Sequence, residues 1–212
     1  AAPFFCTWIN RHLQIISHWK RPLKSTTIHI GLGSNLGDRL AHLQRAILIL
    51  STTPGVEILN VSSVYESAAL VLPGRAPQPD YLNAVIACRS SLQPMEMLHV
   101  CLVTEKRLGR TRSPQVKWEA RTIDLDLLLW SNIVFSNEIL TIPHPRLADR
   151  PFVLLPLSEI DIDLKIPAPF DCTVRYLLST YSPTSPALRT SLVLTIPPSL
   201  NEPIRWSSTT RV

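Results

Sequence analysis

Two aspartates stand two residues apart in an otherwise largely apolar stretch, RTIDLDLLLW at residues 121–130. In a β-strand, Asp124 and Asp126 would project from one face, and Leu125 and Leu127 from the other. A buried charge is costly unless a partner compensates it, so we expect a cation beside this pair. Carboxylate oxygens suit one or two Mg²⁺ ions whose remaining positions take phosphate and water. The alternative is a solvated strand face with incidental acids.

Basic side chains precede this strand. Arg121 lies three residues before Asp124, and Arg110, Arg112 and Lys117 lie in the loop upstream. Planar guanidinium groups bind phosphates through two parallel hydrogen bonds. The loop is therefore predicted to clamp a polyphosphate, and the alternative is a solvated basic loop.

Two further segments can contact an anion. GLGSNLGD at residues 31–38 ends a predicted strand and opens a helix, so its backbone N–H groups can meet an anion. It is weak as a dinucleotide signature, and a tight turn with a helix cap also explains it. In IPHPRLADRPF at residues 142–152, His144 accompanies Arg146 and Arg150. This imidazole can donate a hydrogen bond to phosphate or be structural.

Hydrophobic periodicity predicts the elements that position these residues. A first strand spans 25–33, and a helix with a leucine-rich stripe follows it, capped by Asn35 with Asp38 in its first turn. Further strands run from Val56 to Glu66 and from Tyr81 onward. A second helix begins at Pro94, carries Glu105 on its apolar stripe and ends at Gly109. The acidic strand follows, with a hairpin through Ser131 and Asn132.

The order strand, helix, strand, strand, helix, strand is the split βαβ pattern. It predicts a ferredoxin-like α+β domain, whose mostly antiparallel sheet carries helices on one face. We place this domain at residues 26–170. Residues 1–25 are interpreted as an N-terminal extension or linker, and residues 171–212 as a Ser/Thr/Pro-rich tail or linker of low order.

Composition narrows the class of protein. The 212 residues are 45% hydrophobic, as in a globular protein, and no apolar run approaches the roughly 18 residues of a membrane span, so we expect a soluble protein. The net charge of +5 suggests an anionic partner without choosing among nucleic acid, membrane and nucleotide phosphate. The four cysteines show no C-x-x-C spacing, which indicates reduced thiols and an intracellular compartment.

The N-terminal stretch leaves two possibilities open. It carries basic residues and no acidic residue before Asp38, as in a mitochondrial transit peptide. Alternatively, the chain has been cut from a longer protein. The expected location is thus cytoplasmic, or mitochondrial if residues 1–25 belong to a transit peptide.

Five segments, in order, resemble the family of 6-hydroxymethyl-7,8-dihydropterin pyrophosphokinases: GLGSNLGDR, SSVYES, PDYLNAVIA, RTIDLDLLLW and IPHPRLADRPFVLLPL. The resemblance covers about residues 26–165. It implies transfer of the β,γ-pyrophosphoryl group of ATP to the hydroxymethyl oxygen of the pterin, with release of AMP, in folate biosynthesis. It also implies two Mg²⁺ ions, held by Asp124 and Asp126, that bridge the triphosphate and the attacking hydroxyl.

The resemblance also assigns roles to side chains around the acidic pair. Those that match catalytic, phosphate-binding positions are Arg110, Arg112 and Arg121. The nucleotide side further includes Glu105, Leu127, Thr141, His144 and Arg150. The pterin side includes Ser67, Ala68, Leu70, Tyr81, Asn83, Trp118 and Phe152.

This chain departs from the family at one place. Ser67, Ala68 and Ala69 stand where the family usually has a Thr-x-Pro turn, and the following loop to Tyr81 is longer than in bacterial relatives.

In fungi and plants the domain is commonly fused to other folate enzymes, including dihydropteroate synthase. An excised domain of such a fusion would suit the missing initiator Met and the Ser/Thr-rich tail. No nucleic acid or membrane partner is expected.

Three rival functions share this fold. A two-metal nucleotidyltransferase also uses paired strand aspartates, but it would release pyrophosphate and has no need of Tyr81, Asn83 and Phe152. An RNA-binding module would display several aromatic residues on its third strand, where YLNAVIACRSS offers only Tyr81. A non-catalytic relative would keep the fold, but the intact acidic and arginine positions argue against it.

Overall fold

The computed structural model describes residues 25–70, 74, 76–111, 119–181 and 187–197. Arg112, Lys117 and Trp118 lie outside these ranges, as do nearly all of the predicted N-terminal extension and the end of the predicted tail.

Ten strands and four helices form within the described residues, and we number each kind in chain order. The strands are β1 (Thr26–Ser34), β2 (Val56–Val61), β3 (Tyr65–Ser67), β4 (Tyr81–Ser90), β5 (Asp124–Trp130), β6 (Phe135–Ser136), β7 (Thr141–Ile142), β8 (Lys165–Ile166), β9 (Cys172–Thr173) and β10 (Ala187–Arg189). The helices are α1 (Arg39–Ser51), α2 (Pro94–Arg107), α3 (Pro151–Ile160) and α4 (Val174–Thr180).

The main sheet is antiparallel and has the ferredoxin-like order. Strand β1 lies between β5 and β4, and the far edge of β4 pairs first with β2 and then with β3. The α+β prediction is therefore confirmed. The single strand predicted from Val56 to Glu66 is two strands, because the chain leaves the ladder between Val61 and Tyr65.

Helices cover both faces of the sheet, so the prediction that they share one face is wrong. The main core packs α1 and α2 against residues such as Ile30 and Leu125. A second cluster joins α3 to Val85, Leu128 and Leu129 on the other face. A bulge at Leu128, where the pairing of β1 with β5 shifts by one residue, brings two successive leucines to that second face.

The capping signals in the sequence predicted both ends of α2 correctly but misplaced the start of α1. Helix α2 starts at Pro94, with Glu96 accepting the N–H of Gln93, and positive-φ Gly109 follows its end, as predicted. In α1 the capping residue is Asp38, whose carboxylate accepts the N–H of Ala41. The prediction of Asn35 as the cap is therefore wrong, because the helix begins four residues later, at Arg39.

The hairpin predicted between β5 and the next strand forms instead between the two following strands, β6 and β7. Strand β5 pairs with β1. Positive-φ Ser131 turns the chain away at the end of β5, and Ile133 donates its N–H back to Trp130. The segment that contains the predicted IPHP loop is thereby placed beside the end of β5, where His144 donates its N–H to the carbonyl of Leu128.

The segment beyond Phe170 is ordered in its described residues, so the prediction of low order is wrong for them. Helix α4 packs on the second cluster through Val174, and β10 pairs with β3. Further along, Leu194 is 8% exposed and belongs to the main core. Thr195 and the Gln44 amide of α1 exchange two hydrogen bonds. The Ser/Thr-rich composition concealed these anchors, because they depend on contacts far away in sequence.

Two other findings bear on the class of protein. Within the described residues, no helix is long and apolar enough to cross a membrane. Cys88, Cys101 and Cys172 are free thiols, as predicted, and burial raises the pKa of Cys88 to about 12.

Replacing Leu194 by Ala should lower the free energy of unfolding by about 2–5 kcal/mol, because it removes a core side chain and leaves a cavity. Its neighbour Val193 is 74% exposed and serves as the matched control. Val193→Ala should change stability by no more than about 0.5 kcal/mol. Urea unfolding measures both, and equal small effects would show that residues 187–197 do not stabilise the domain.

Candidate active site

Two glycines of β1, Gly31 and Gly33, lie on the face of the sheet that carries Asp124 and Asp126. In the register of the sheet, Gly33 lies between Asn83 and Asp124, and Gly31 lies between Val85 and Asp126. Cross-strand partners project from the same face, so Gly33 leaves a shallow floor between Asn83 and Asp124. The space above Gly31 is taken by the side chain of Leu128, 3.4 Å from where a Cβ would stand. With strands roughly 4.8 Å apart, the backbones of β4 and β5 are about 10 Å apart across this floor.

Any side chain at Gly33 would fill the floor. A Cβ built there would lie 3.4 Å from Asn83 Oδ1, 3.6 Å from Tyr81 Cδ1 and 3.9 Å from Asp124 Cβ. Both glycines lie inside β1, in agreement with the strand predicted at residues 25–33, but sequence reasoning gave them no role beyond an anion contact or a tight turn. The available signal was their spacing of two, which places both on one face of a strand.

Arginines neutralise the two aspartates. Asp124 accepts from Arg110 at Oδ1 and from Arg121 at Oδ2, the latter at 2.8 Å. Asp126 accepts from Arg150 at 2.8 Å. The carboxylate side chains are 25% and 34% exposed, so the acidic face of β5 remains open to a ligand. Sequence reasoning predicted that these acids need cations, and the structure brings three guanidinium groups to them.

Glu105 extends this network into the core. Its side chain is 2% exposed, accepts the N–H of Leu125 at 2.9 Å and pairs with Arg110. The carboxylate therefore fixes the start of β5 and the direction of Arg110. These two protein contacts explain its place on the apolar stripe of α2, and its predicted role on the nucleotide side stays a prediction.

Asn35 is a site-building residue that sequence reasoning treated only as a helix cap. It is 1% exposed and exchanges two hydrogen bonds with the backbone of Arg121: its N–H donates to the Arg121 carbonyl at 3.1 Å, and its Oδ1 accepts the Arg121 N–H at 2.7 Å. Its Nδ2 donates to the carbonyl of Pro79 at 3.1 Å. One amide thus joins the loop before Tyr81 to the start of the acidic segment.

Arg121 and Tyr81 influence each other electrostatically. Burial opposes the charge of Arg121, but Asp124 and Tyr81 outweigh it and the pKa of the guanidinium is raised. Burial also raises the pKa of the Tyr81 phenol, although Arg121 acts in the opposite direction. At neutral pH this edge of the site therefore presents a cation and a neutral phenol.

His144 is held as a neutral hydrogen-bond donor. Burial lowers its pKa, and the nearby carboxylate of Asp126 opposes that shift only in part. Its Nδ1 accepts the N–H of Arg146 at 3.1 Å, which leaves the ring proton on Nε2. A neutral ring with an Nε2–H group can donate to an anion, as the sequence suggested.

The pterin-side residues of the resemblance divide into two groups. Asn83 is buried, and its Nδ2 donates to Ser67 Oγ at 3.0 Å; Tyr81 stands next to Gly33. Phe152 packs on the second cluster, with the Arg150 guanidinium 5.8 Å from its ring centroid. In contrast, Ala68 and Leu70 are exposed, with Leu70 at 59%.

Two predicted nucleotide-side residues, Leu127 and Thr141, differ in their surroundings. The side chain of Leu127 is 4% exposed and belongs to the main core, on the opposite face of β5 from Asp126. Thr141 is exposed on β7, where its hydroxyl lies 3.3 Å from that of Ser136. Any contact of Leu127 with a ligand on the acidic face would have to come from its backbone.

These features define a class of protein: an α+β transferase of phosphate groups, with an acidic pair and several arginines on the open face of its sheet. The comparison with known families makes this specific. Residues 29–162 match the model of the family 7,8-dihydro-6-hydroxymethylpterin-pyrophosphokinase (HPPK), and the chain belongs to this family.

Curated relatives agree with this assignment. The chain is 44% identical over 134 residues to the 2-amino-4-hydroxy-6-hydroxymethyldihydropteridine pyrophosphokinase of Synechocystis sp., which covers 63% of this chain and 66% of that protein. It is 38% identical over 159 residues to the enzyme of the same name from Methylorubrum extorquens, covering 75% of this chain and 96% of that one. The alignment with the Synechocystis protein thus spans about two thirds of that relative.

Solved structures show the same fold. An HPPK-DHPS crystal structure in complex with substrates superimposes with a TM-score of 0.58 at 13% identity, over 75% of this chain and 44% of that one. An HPPK-DHPS protein of Plasmodium falciparum gives a TM-score of 0.58 at 16% identity, over 78% of this chain and 45% of that one. This chain therefore corresponds to less than half of those longer proteins.

Replacing Glu105 by Gln should lower the free energy of unfolding by about 1–3 kcal/mol, since it leaves the buried guanidinium of Arg110 with one fewer anionic partner. Glu57, whose side chain is 60% exposed, pairs with Arg89 and provides the control. Glu57→Gln should cost no more than about 0.5 kcal/mol. Chemical denaturation of both variants tests this, and a cost for Glu105→Gln no larger than the control's would contradict the positioning role.

Proposed function

We propose that this chain transfers the pyrophosphoryl group of ATP to the hydroxymethyl group of 6-hydroxymethyl-7,8-dihydropterin, releasing AMP, as a step of folate biosynthesis. This is the reaction of the family to which it belongs. The observation that carries the assignment of roles is the row Asn83, Gly33 and Asp124 across three strands. The amide of Asn83, which suits the edge of a heterocycle, lies on one side of Gly33. The carboxylate of Asp124, which suits a metal ion that carries phosphate, lies on the other side.

The transfer is a displacement at the β-phosphorus of ATP. The hydroxymethyl oxygen forms a bond to this phosphorus, and the bond to the oxygen bridging the α- and β-phosphates breaks. AMP leaves with that electron pair, and the hydroxyl proton passes to solvent. Positioning and charge neutralisation supply most of the catalysis in such reactions, so a protein nucleophile is unnecessary.

The acidic pair fits Mg²⁺. Asp124 and Asp126 offer hard, partly exposed oxygen donors from one face of β5, and Gly33 beside Asp124 leaves room for a ligand. Two carboxylates would fill only part of a Mg²⁺ coordination shell, and phosphate and water would complete it. When bound, Mg²⁺ would neutralise the triphosphate and make its β-phosphorus more electrophilic.

The cationic side chains would bind the triphosphate from several directions. Arg110 lies just after α2, Arg121 lies just before β5, and Arg150 lies just before α3. His144 adds a neutral donor beside Asp126. Arg112, which matches a further phosphate-binding position, lies outside the described residues. Guanidinium groups placed in this way would stabilise the charge that shifts onto the leaving AMP.

The pterin would lie on the glycine floor. Asn83 Oδ1 faces this floor and can accept from an N–H on the edge of the bicycle, and Tyr81 borders it. Ser67 accepts from the Asn83 amide and so fixes which atom faces the ligand. Ser67 thus keeps, at the first position of the family's Thr-x-Pro turn, a hydroxyl that can orient Asn83. Phe152 is proposed as a second ring against the pterin, and Trp118, outside the described residues, as part of a closing loop.

The wider context stays a prediction. The bacterial relatives carry the same activity name and are covered over 66% to 96% of their length, so they lend no support to an origin in a fusion. The folic acid synthesis protein fol1 of Schizosaccharomyces pombe, by contrast, is covered over only 20%. A neighbouring dihydropteroate synthase and a cytoplasmic or mitochondrial location are likewise proposals.

Incubating the protein with MgATP and 6-hydroxymethyl-7,8-dihydropterin should form AMP only when the pterin is present, in equal amount to the pterin consumed. Asp124→Asn should lower kcat by about a hundredfold or more, because it removes the anionic oxygen that would hold the metal. Chromatography of the nucleotides measures both outcomes.

Asp163→Asn is the matched control, because Asp163 pairs with Arg175 on an exposed surface away from the glycine floor. Its kcat should equal that of the unmodified protein. Absence of pterin-dependent AMP from folded protein would refute the proposed function, and full activity of Asp124→Asn would refute the role of the acidic pair.

A further inference from the structure

The Arg150 guanidinium makes one ion pair, and one of its N–H donors lacks a hydrogen-bond acceptor among the described residues. Its Nη1 donates to Asp126 Oδ2 at 2.8 Å, and its guanidinium carbon stands 5.8 Å from the ring centroid of Phe152. Its Nε is buried, and no hydrogen-bond partner for it exists among the described residues. A buried donor left without an acceptor costs about 1–3 kcal/mol, so a different set of contacts would stabilise this side chain further.

Asp126 already has a cationic partner in the guanidinium of Arg150. Among the described residues, the carboxylates of Glu105, Asp124 and Asp126 meet the guanidinium groups of Arg110, Arg121 and Arg150. A divalent cation added to Asp126 while Arg150 stays in place would set two cations against one carboxylate. At a separation of about 4–5 Å this repulsion is appreciable even in a partly hydrated site.

The backbone of Arg150 is tied to the start of α3, so a change of guanidinium partner would involve its side chain alone. Arg150 is the residue before α3, and its carbonyl accepts the N–H groups of Val153 and Leu154 at 2.9 Å and 3.0 Å. Its own N–H donates to the Leu147 carbonyl. Moving the guanidinium from a carboxylate to a phosphate therefore needs only new side-chain rotamers.

We propose that Arg150 is an exchangeable counterion of Asp126: it occupies this carboxylate before metal binds and passes to a phosphate group when the metal and nucleotide arrive together. Metal alone has to displace Arg150 without offering it a new anion. A metal–triphosphate complex supplies that anion, and its oxygen atoms also provide an acceptor for the unsatisfied Nε. The exchange thus makes metal binding depend on nucleotide, a step that rests on the proposed function.

The test measures the binding of Mn²⁺, a paramagnetic substitute for Mg²⁺, by electron paramagnetic resonance in the absence of nucleotide. Arg150→Gln removes the competing charge, so its affinity for Mn²⁺ should exceed that of the unmodified protein about tenfold. Arg150→Lys keeps the charge and should remain close to the unmodified protein. Arg89→Gln, which breaks an exposed ion pair with Glu57, is the control and should have no effect.

Adding ATP should reverse the order. With ATP in excess, the unmodified protein should bind the Mn²⁺–ATP complex more tightly than Arg150→Gln does, because only the former keeps this guanidinium partner for the triphosphate. Thermal unfolding of each variant verifies that it is folded. Mn²⁺ affinity of Arg150→Gln equal to or below that of the unmodified protein without nucleotide, or no detectable binding to either, would overturn the proposal. Pterin-dependent AMP formation by the same unmodified protein separates this failure from failure of the proposed function.

Discussion

The site depends on one electrostatic constraint: two carboxylates on neighbouring same-face positions of β5 have to be neutralised. Asp124 and Asp126 are only partly exposed, so water alone compensates their charges poorly. Three arginines meet this requirement, and each comes from a different part of the chain: the end of the α2 turn, the segment before β5, and the residue before α3. The ion pairs therefore fix how these parts converge on the sheet.

The same constraint explains a charged residue in the core. Glu105 lies on the buried stripe of α2 because it holds Arg110 and the N–H of Leu125 at once. On the open face, Gly33 of β1 leaves a space that Asn83 and Asp124 border. Asn35 ties the backbone of Arg121 to the loop that precedes Tyr81. The groups proposed to bind the two substrates are thus attached to one sheet, which would favour a fixed approach of hydroxyl to phosphate.

Local sequence patterns predicted the elements of the core and the acidic pair well. Alternation placed Asp124 and Asp126 on one face, and helical periodicity with Pro94 and Gly109 gave the bounds of α2. Apart from the cap of α1, the main errors concern contacts between distant residues. The covering of the second face by α3, the pairing of β10 with β3 and the burial of Leu194 all depend on partners far away in sequence. The bulge at Leu128 arises from the register of two strands, which neither strand specifies alone.

The central claim is that this site moves a pyrophosphoryl group as a unit, and ³¹P nuclear magnetic resonance of the reaction tests it most directly. During incubation with MgATP and 6-hydroxymethyl-7,8-dihydropterin, the account predicts that the signal of AMP grows together with two coupled phosphorus signals of a pterin diphosphate ester. Formation of ADP with a pterin monophosphate, or release of inorganic pyrophosphate with a pterin–AMP ester, would contradict it.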